Sequence, residues 1–215
     1  MSVSIIKNLE SSLSYAFENT FKKLGRWLGL SVLLVIPILN LIPYGIFLKI
    51  YRDEAPDFSN AGKSFVQGLL YFVISMIYLI IPLILIIVSS IIAAIPDAGV
   101  SLVSSIILFA AALIILLLIS LILSPAVIKY ARSEKFTDAF KLGEIFAMIS
   151  KAGWGKYIIS IIVIIIVSML LTAIPQALSF IPTAGIYICF ILSALIEPFL
   201  TIFEFRFLGN LFEKN

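Results

Sequence analysis

The first chemistry the sequence suggests lies on one helical face. Ser193, Glu197, Thr201 and Glu204 are spaced i, i+4, i+8 and i+11, which aligns them as a single polar stripe on a helix. The stripe runs through a segment apolar enough to cross a bilayer. A carboxylate at that depth is costly and commonly functional, so the stripe reads as a proton or cation site. The competing reading is structural, with Glu197 tied to Lys129 or Arg132 at the end of a neighbouring span, or to Lys49 or Arg52. The tie is the preferred expectation, because buried carboxylates usually find a partner. Asn40, between Pro37 and Pro43, and Gln176, after Pro175, complete the candidate polar set. Asn40 is expected to relieve the proline break, and Gln176 to bond a neighbouring helix.

Other chemistries fare worse. Asp53, Glu54 and Asp57 could hold a metal for a lipid-processing enzyme, but they read more simply as a solvated loop. The chain has no histidine, which removes the commonest general base and metal ligand. Its one cysteine, Cys189, sits in an apolar run, where a thiol is usually a small hydrophobe. Neither a Ser-His-Asp group nor a thiolate zinc site can be built. The sequence is therefore read as non-enzymatic, with no cofactor. A net charge of +3 gives no reason to expect nucleic acid.

The elements that must position these residues follow from the charges. Of 215 residues, 62% are apolar and 13% charged, against about 45–50% and 25% in soluble domains. Four stretches carry no charge: 27–48, 64–96, 98–128 and 157–196. A spanning helix needs about 20 residues. Breaks at Pro96-Asp97-Ala98-Gly99 and Phe180-Ile181-Pro182-Thr183 divide the apolar sequence into four spans, near 66–95, 100–128, 157–180 and 184–207. Both tight turns lack Lys and Arg, whereas 129–156 carries six. Basic loops stay inside, so 129–156, the 49–63 loop and the C-terminal residues Arg206 and Lys214 are expected in the cytoplasm, with the turns outside.

Residues 1–26 hold Lys7, Lys22, Lys23 and Arg26, so they also belong inside. A single crossing by 27–48 would put them outside. The run Pro37-Ile38-Leu39-Asn40-Leu41-Ile42-Pro43 breaks a helix, so half-helices 27–36 and 44–51 can dip in and return. One kinked span is the alternative. Two further segments read as interfacial amphipathic helices on the cytoplasmic side. One, within 1–24, carries Ile5, Leu9, Leu13, Phe17, Phe21 and Leu24 on a single face. The other, within 133–152, carries Phe136, Phe140, Gly143, Phe146 and Ala147. A weak threefold repeat is also visible, because three units end alike at Tyr51-Arg52, Tyr130-Ala131-Arg132 and Phe205-Arg206. Chance anchoring at helix ends explains it equally well.

Several of these residues form a recognisable pattern. Ile36-Pro37-Ile38-Leu39-Asn40, Tyr44-Gly45 and Leu48-Lys49-Ile50 lead into Glu54-Ala55-Pro56-Asp57-Phe58, Phe65-Val66-Gln67-Gly68 and Ile77-Tyr78. Tyr130-Ala131 and Ala139-Phe140 follow. The sequence resembles the membrane family catalogued as domain of unknown function 4013, widespread in archaea, over about Ala16 to Arg206. One departure is Leu69-Leu70, where the pattern places a second glycine-lysine pair. The resemblance implies an integral membrane protein without assigned activity, and it brings no catalytic residues.

The expected fold is an all-α integral membrane protein, built as one domain over 1–215. It comprises an interfacial helix (1–24), a re-entrant or kinked segment (27–51), a helical hairpin (66–128), a second interfacial helix (133–152) and a second hairpin (157–207). The expected setting is the cytoplasmic membrane. The expected partners are membrane lipids, together with another membrane protein or a second copy. The first functional expectation is an accessory, scaffold or assembly protein. The alternative is a small transporter using the Glu197 and Glu204 stripe.

Overall fold

The computed structural model describes residues 4–95 and 98–212. Among the described residues the structure is all-helical, with four helices long and apolar enough to cross a membrane. In chain order the helices are α1 (Ile5–Asn19), α2 (Leu24–Val35), α3 (Leu41–Leu48), α4 (Ala61–Ala93), α5 (Ala98–Ser133), α6 (Leu142–Ala152), α7 (Trp154–Leu178) and α8 (Gly185–Leu211). Short 3-10 turns follow α3 (Lys49–Arg52) and precede α6 (Phe136–Phe140). The spans are α4, α5, α7 and α8. They run past the charge-free stretches at one end, which brings Lys63, Lys129, Arg132 and Arg206 onto helix. The expected turn at Pro96-Asp97 lies outside the described residues, as does Lys214.

The spans pair as two antiparallel hairpins, α4 with α5 and α7 with α8. Most of the core lies where the charged segments gather. Phe47, Ile50, Tyr51, Ile128, Tyr130, Ala131, Ile145, Ile149, Tyr157, Phe203 and Phe207 are all buried there. The three similar unit ends converge at this point. Arg52 Nη1 donates to the Ala131 carbonyl at 3.0 Å, and Arg132 Nε donates to the Tyr51 carbonyl at 3.1 Å. Tyr51 stacks on Phe205, with ring centroids 4.7 Å apart. Arg132 also donates to the carbonyls of Gly209 and Phe212. Arg206 pairs with Asp53 at 2.6 Å and lies over the Tyr15 ring. The repeat thus marks three helix ends that share one polar knot.

Away from the knot the hairpins separate. Along their spans α4 and α5 share few neighbours with α7 and α8. The outward faces of α5, such as Leu102, Ile106, Leu113 and Leu117, are exposed, as helices bathed in lipid are.

The proline-broken segment forms two short antiparallel helices. α2 lies along α8, with Trp27 Nε1 donating to the Leu195 carbonyl at 2.7 Å and Phe21 against Phe199. Its end at Ile36 reaches the level of Phe190 and Ile191. The chain turns through Ile38 at φ 71°, a backbone conformation that is rare for a β-branched residue. α3 then runs back along α4. A Cβ on Gly45 would stand 1.8 Å from the Ser64 carbonyl oxygen, and one on Gly68 would stand 1.8 Å from that of Leu41. Only glycine allows backbones so close. The expected half-helices, 27–36 and 44–51, are shifted by a few residues. The return begins at Leu41 because Pro43 falls in the first helical turn, where a missing N–H costs nothing.

The two collar segments pack on the protein through faces that only partly coincide with the apolar faces read from the sequence. α1 turns Asn8, Ser12, Ala16 and Asn19 inward; of its apolar face, Ile5, Leu9 and Leu13 are partly buried against the core while Phe17, Phe21 and Leu24 are exposed. Asn8 Nδ2 donates to the Phe207 carbonyl at 2.9 Å, and Asn210 Nδ2 donates to Asn8 Oδ1 at 2.8 Å. The polar stripe satisfies hydrogen-bonding groups on α8, and Ile5, Leu9 and Leu13 pack beside it against the core. The 133–152 segment is no single helix. It breaks at Lys141, and Ile145 and Ile149 are buried while Gly143, Phe146 and Ala147 are exposed. Phe136 and Phe140 do pack inward, with Phe140 stacked on Tyr78 at 5.6 Å.

Candidate functional site

The polar stripe of α8 lies near Ser168 of α7 and Tyr44 of α3. Glu197 is exposed there and is supported by the Thr201 hydroxyl one turn on. Glu204 is half-buried and accepts a hydrogen bond from Ser168 Oγ of α7 at 3.0 Å. The two carboxylates are close enough to feel each other's charge, and both are felt by Tyr44 of α3. Tyr44 in turn stacks on Tyr71 of α4 at 5.4 Å. Four helices from both hairpins therefore contribute to one group of hydroxyls and carboxylates.

Tyr44 and Tyr71 also line a cavity of about 490 Å³ beneath the α2–α3 turn. Its other walls include Ile38, Asn40, Leu41, Phe72 and Ser75. Asn40 makes no side-chain cap on α3 and is among the residues lining this space. Ser193 lies 4.0 Å from Cys189 Sγ. Gln176 is exposed on α7, beyond the buried Pro175, and its backbone carbonyl accepts from Ser179.

The ion pair expected for Glu197 is not formed, because its supposed partners are engaged elsewhere. Lys49 is buried, and its Nζ donates to Asp57 Oδ1 at 2.8 Å and to the Ser59 carbonyl at 2.9 Å. Lys129 pairs with Glu144. Arg52 bonds Glu54 and lies 3.4 Å from Glu134. Arg132 is directed at the three backbone carbonyls of the knot. The sequence offered these cations by proximity along the chain, but the knot and the collar use them first.

The same network separates the acidic trio. Asp53, Glu54 and Asp57 each meet a different cation, Arg206, Arg52 and Lys49. Bonds from Lys49 and Ser59 hold the Asp57 carboxyl at about 2, well below its ordinary value. Glu134 is likewise lowered, by hydrogen bonding to Lys63 first and by the Arg52 charge. Gln67, buried on α4, joins this network by accepting from Arg52 and donating to Glu134 at 2.9 Å. These groups fasten the loops and present no shared coordination point.

Tyr44, Tyr71 and Ser168 were not expected at the polar site, although Tyr44 belongs to the family pattern and Ser168 is one of the small serines on the spans. Each is one polar residue in an apolar helix, with no spacing that ties it to Glu204. A signal did exist for Tyr44, because it stands beside Gly45, the position that seats α3 on α4.

Four apolar spans in two hairpins, joined by a charged collar at one end, define an all-helical multi-pass membrane protein. The chain belongs to the family described as Protein of unknown function (DUF4013), whose model matches residues 29–182. That match takes in the proline-broken segment, the two close-approach glycines and three of the four spans. It stops short of Glu197 and Glu204. No curated protein and no solved structure matches the chain.

Proposed function

We propose that this protein is a non-enzymatic permease of the cytoplasmic membrane, with a proton or monovalent cation binding at Glu197 and Glu204. In this reading the collar, the knot and the C-terminal end of α8 face the cytoplasm, and the turn at Phe180–Thr183 faces outside. The charge distribution supports that orientation. Residues 24–52 then form a re-entrant hairpin rather than a fifth span. Broken backbone at such depth is tolerated where it lines protein or a cavity, and discontinuous helices recur at transporter sites.

The observation that carries the reading is the support of Glu197 and Glu204 by hydroxyls rather than by cations. The test uses proteoliposomes under an imposed proton or sodium gradient. Wild-type protein should dissipate one of them faster than empty vesicles, and Glu197→Gln and Glu204→Gln should each remove the excess. Leak equal to that of empty vesicles under both gradients sinks the proposal.

A second reading, an accessory or assembly protein, is favoured by α5, which packs mainly on α4 and exposes apolar side chains along its length. It requires a reproducible membrane partner on purification in mild detergent.

A further inference from the structure

We infer that Ile36–Asn40 is a joint between two rigid halves that pivot about the charged end. The halves follow from what each helix is fastened to. α3 is seated on α4 by the Gly45–Ser64 and Gly68–Leu41 approaches, and α4 pairs with α5. α2 is fastened to α8 through Trp27 and Leu195, α1 is bonded to the same helix through Asn8, and α7 pairs with α8. The covalent crossings between halves are then few. One is the 134–153 segment, which lies in the collar. The other is the α2–α3 turn, far from the knot.

Two further observations make that turn a joint rather than a brace. Ile38 holds a left-handed backbone conformation and is 70% exposed. Strain of this kind is kept where the backbone must take up a change. The turn also roofs the 490 Å³ cavity, so movement between the halves changes the space it encloses. At the other end the knot is dense. Tyr157 bonds the Leu121 carbonyl at 2.8 Å, and Arg132 ties the end of α5 to α8. A pair of levers fixed at one end and joined by a short strap further along can splay or close only by bending the strap. This inference concerns motion alone, and it holds whether or not an ion is carried.

The test uses the full chain in lipid nanodiscs with Cys189→Ser as background. Spin labels at Ala93→Cys and Phe180→Cys report between the halves, and labels at Val32→Cys and Ile186→Cys report within one. The first pair should give a broad or two-peaked distance distribution, and the second a narrow one. Ile38→Gly, which removes the strain, should shift or broaden the first by about 5 Å, the rise of one helical turn, and leave the second unchanged. A single narrow distance for the first pair in the Ile38 protein overturns the inference, even where Ile38→Gly fails to fold. So does a change in both pairs together. Either result leaves the flux experiment free to succeed or fail separately.

Discussion

Arg52 and Arg132 bond to each other's neighbourhood reciprocally. The first donates to the carbonyl of Ala131, which precedes Arg132, and the second to the carbonyl of Tyr51, which precedes Arg52. Helix-end carbonyls lack intrahelical partners, so each arginine caps the helix the other belongs to. Arg132 meets the carbonyls of Tyr51, Phe212 and Gly209 with three different nitrogens, a spread that the single compact ammonium of lysine does not reproduce. Arg132→Lys should therefore cost about 1.5–3 kcal/mol, the range for hydrogen bonds to charged groups. A thermal melt in detergent measures this, and an unchanged midpoint would remove the knot's claim to hold the bundle.

Gly68→Ala places a methyl group against the Leu41 backbone, which has no flexible end to move. Overpacking of this sort typically costs about 1–3 kcal/mol, and α3 cannot stay seated on α4. Gly62→Ala, where nothing lies within 4 Å, is the control and should be neutral or slightly stabilising. Equal melting of both variants would show that the close approach is not required.

Asp57 gives a pH dependence with a definite sign. Its carboxyl is lowered from 3.8 to about 2 by bonds from Lys49 and Ser59. A depressed carboxyl adds stability above its unfolded value and loses it as the folded value is approached. The 49–60 loop should therefore be fully protected above pH 3.8 and open progressively toward pH 2. Because the Asp57 side chain is 45% exposed, the contribution is below about 1 kcal/mol. Hydrogen exchange of the loop amides reads it, and Asp57→Asn should abolish the step.

The proposed orientation predicts opposite labelling at two exposed positions. In a Cys189→Ser background, Thr183→Cys should react with an impermeant thiol reagent added outside intact cells, and Thr137→Cys only after lysis. The reverse pattern inverts the topology.

Much of the architecture was legible because charge and hydrophobicity act over whole helices. The four spans, the breaks at Pro37–Pro43 and Pro182 and the gathering of cations at one end all follow from that one-dimensional pattern. Facing was less legible. α1 is amphipathic by composition, yet it buries Asn8 and Ser12, because the choice depended on which groups α8 left unpaired. Glu197 was placed on its stripe correctly but given partners already committed to Asp57, Glu134 and Glu144. Competition for a lysine is decided in three dimensions. Tyr44 and Tyr71 meet only because two glycines, 23 positions apart, bring α3 onto α4.

The bonds from α1 to α8 also bear on synthesis. Asn8 and its acceptor on Phe207 are separated by 199 positions. α2, too, rests on α8 through Leu195. α1 and α2 thus lack these seats until α8 has entered the bilayer. Until then the polar stripe of α1 and the α8-facing side of α2 have nothing to dock on, although α3 can already seat on α4. Insertion of α8 is the event that locks α1 and α2 in place, and a quality-control protease that recognises undocked membrane segments would have its longest opportunity on these two helices.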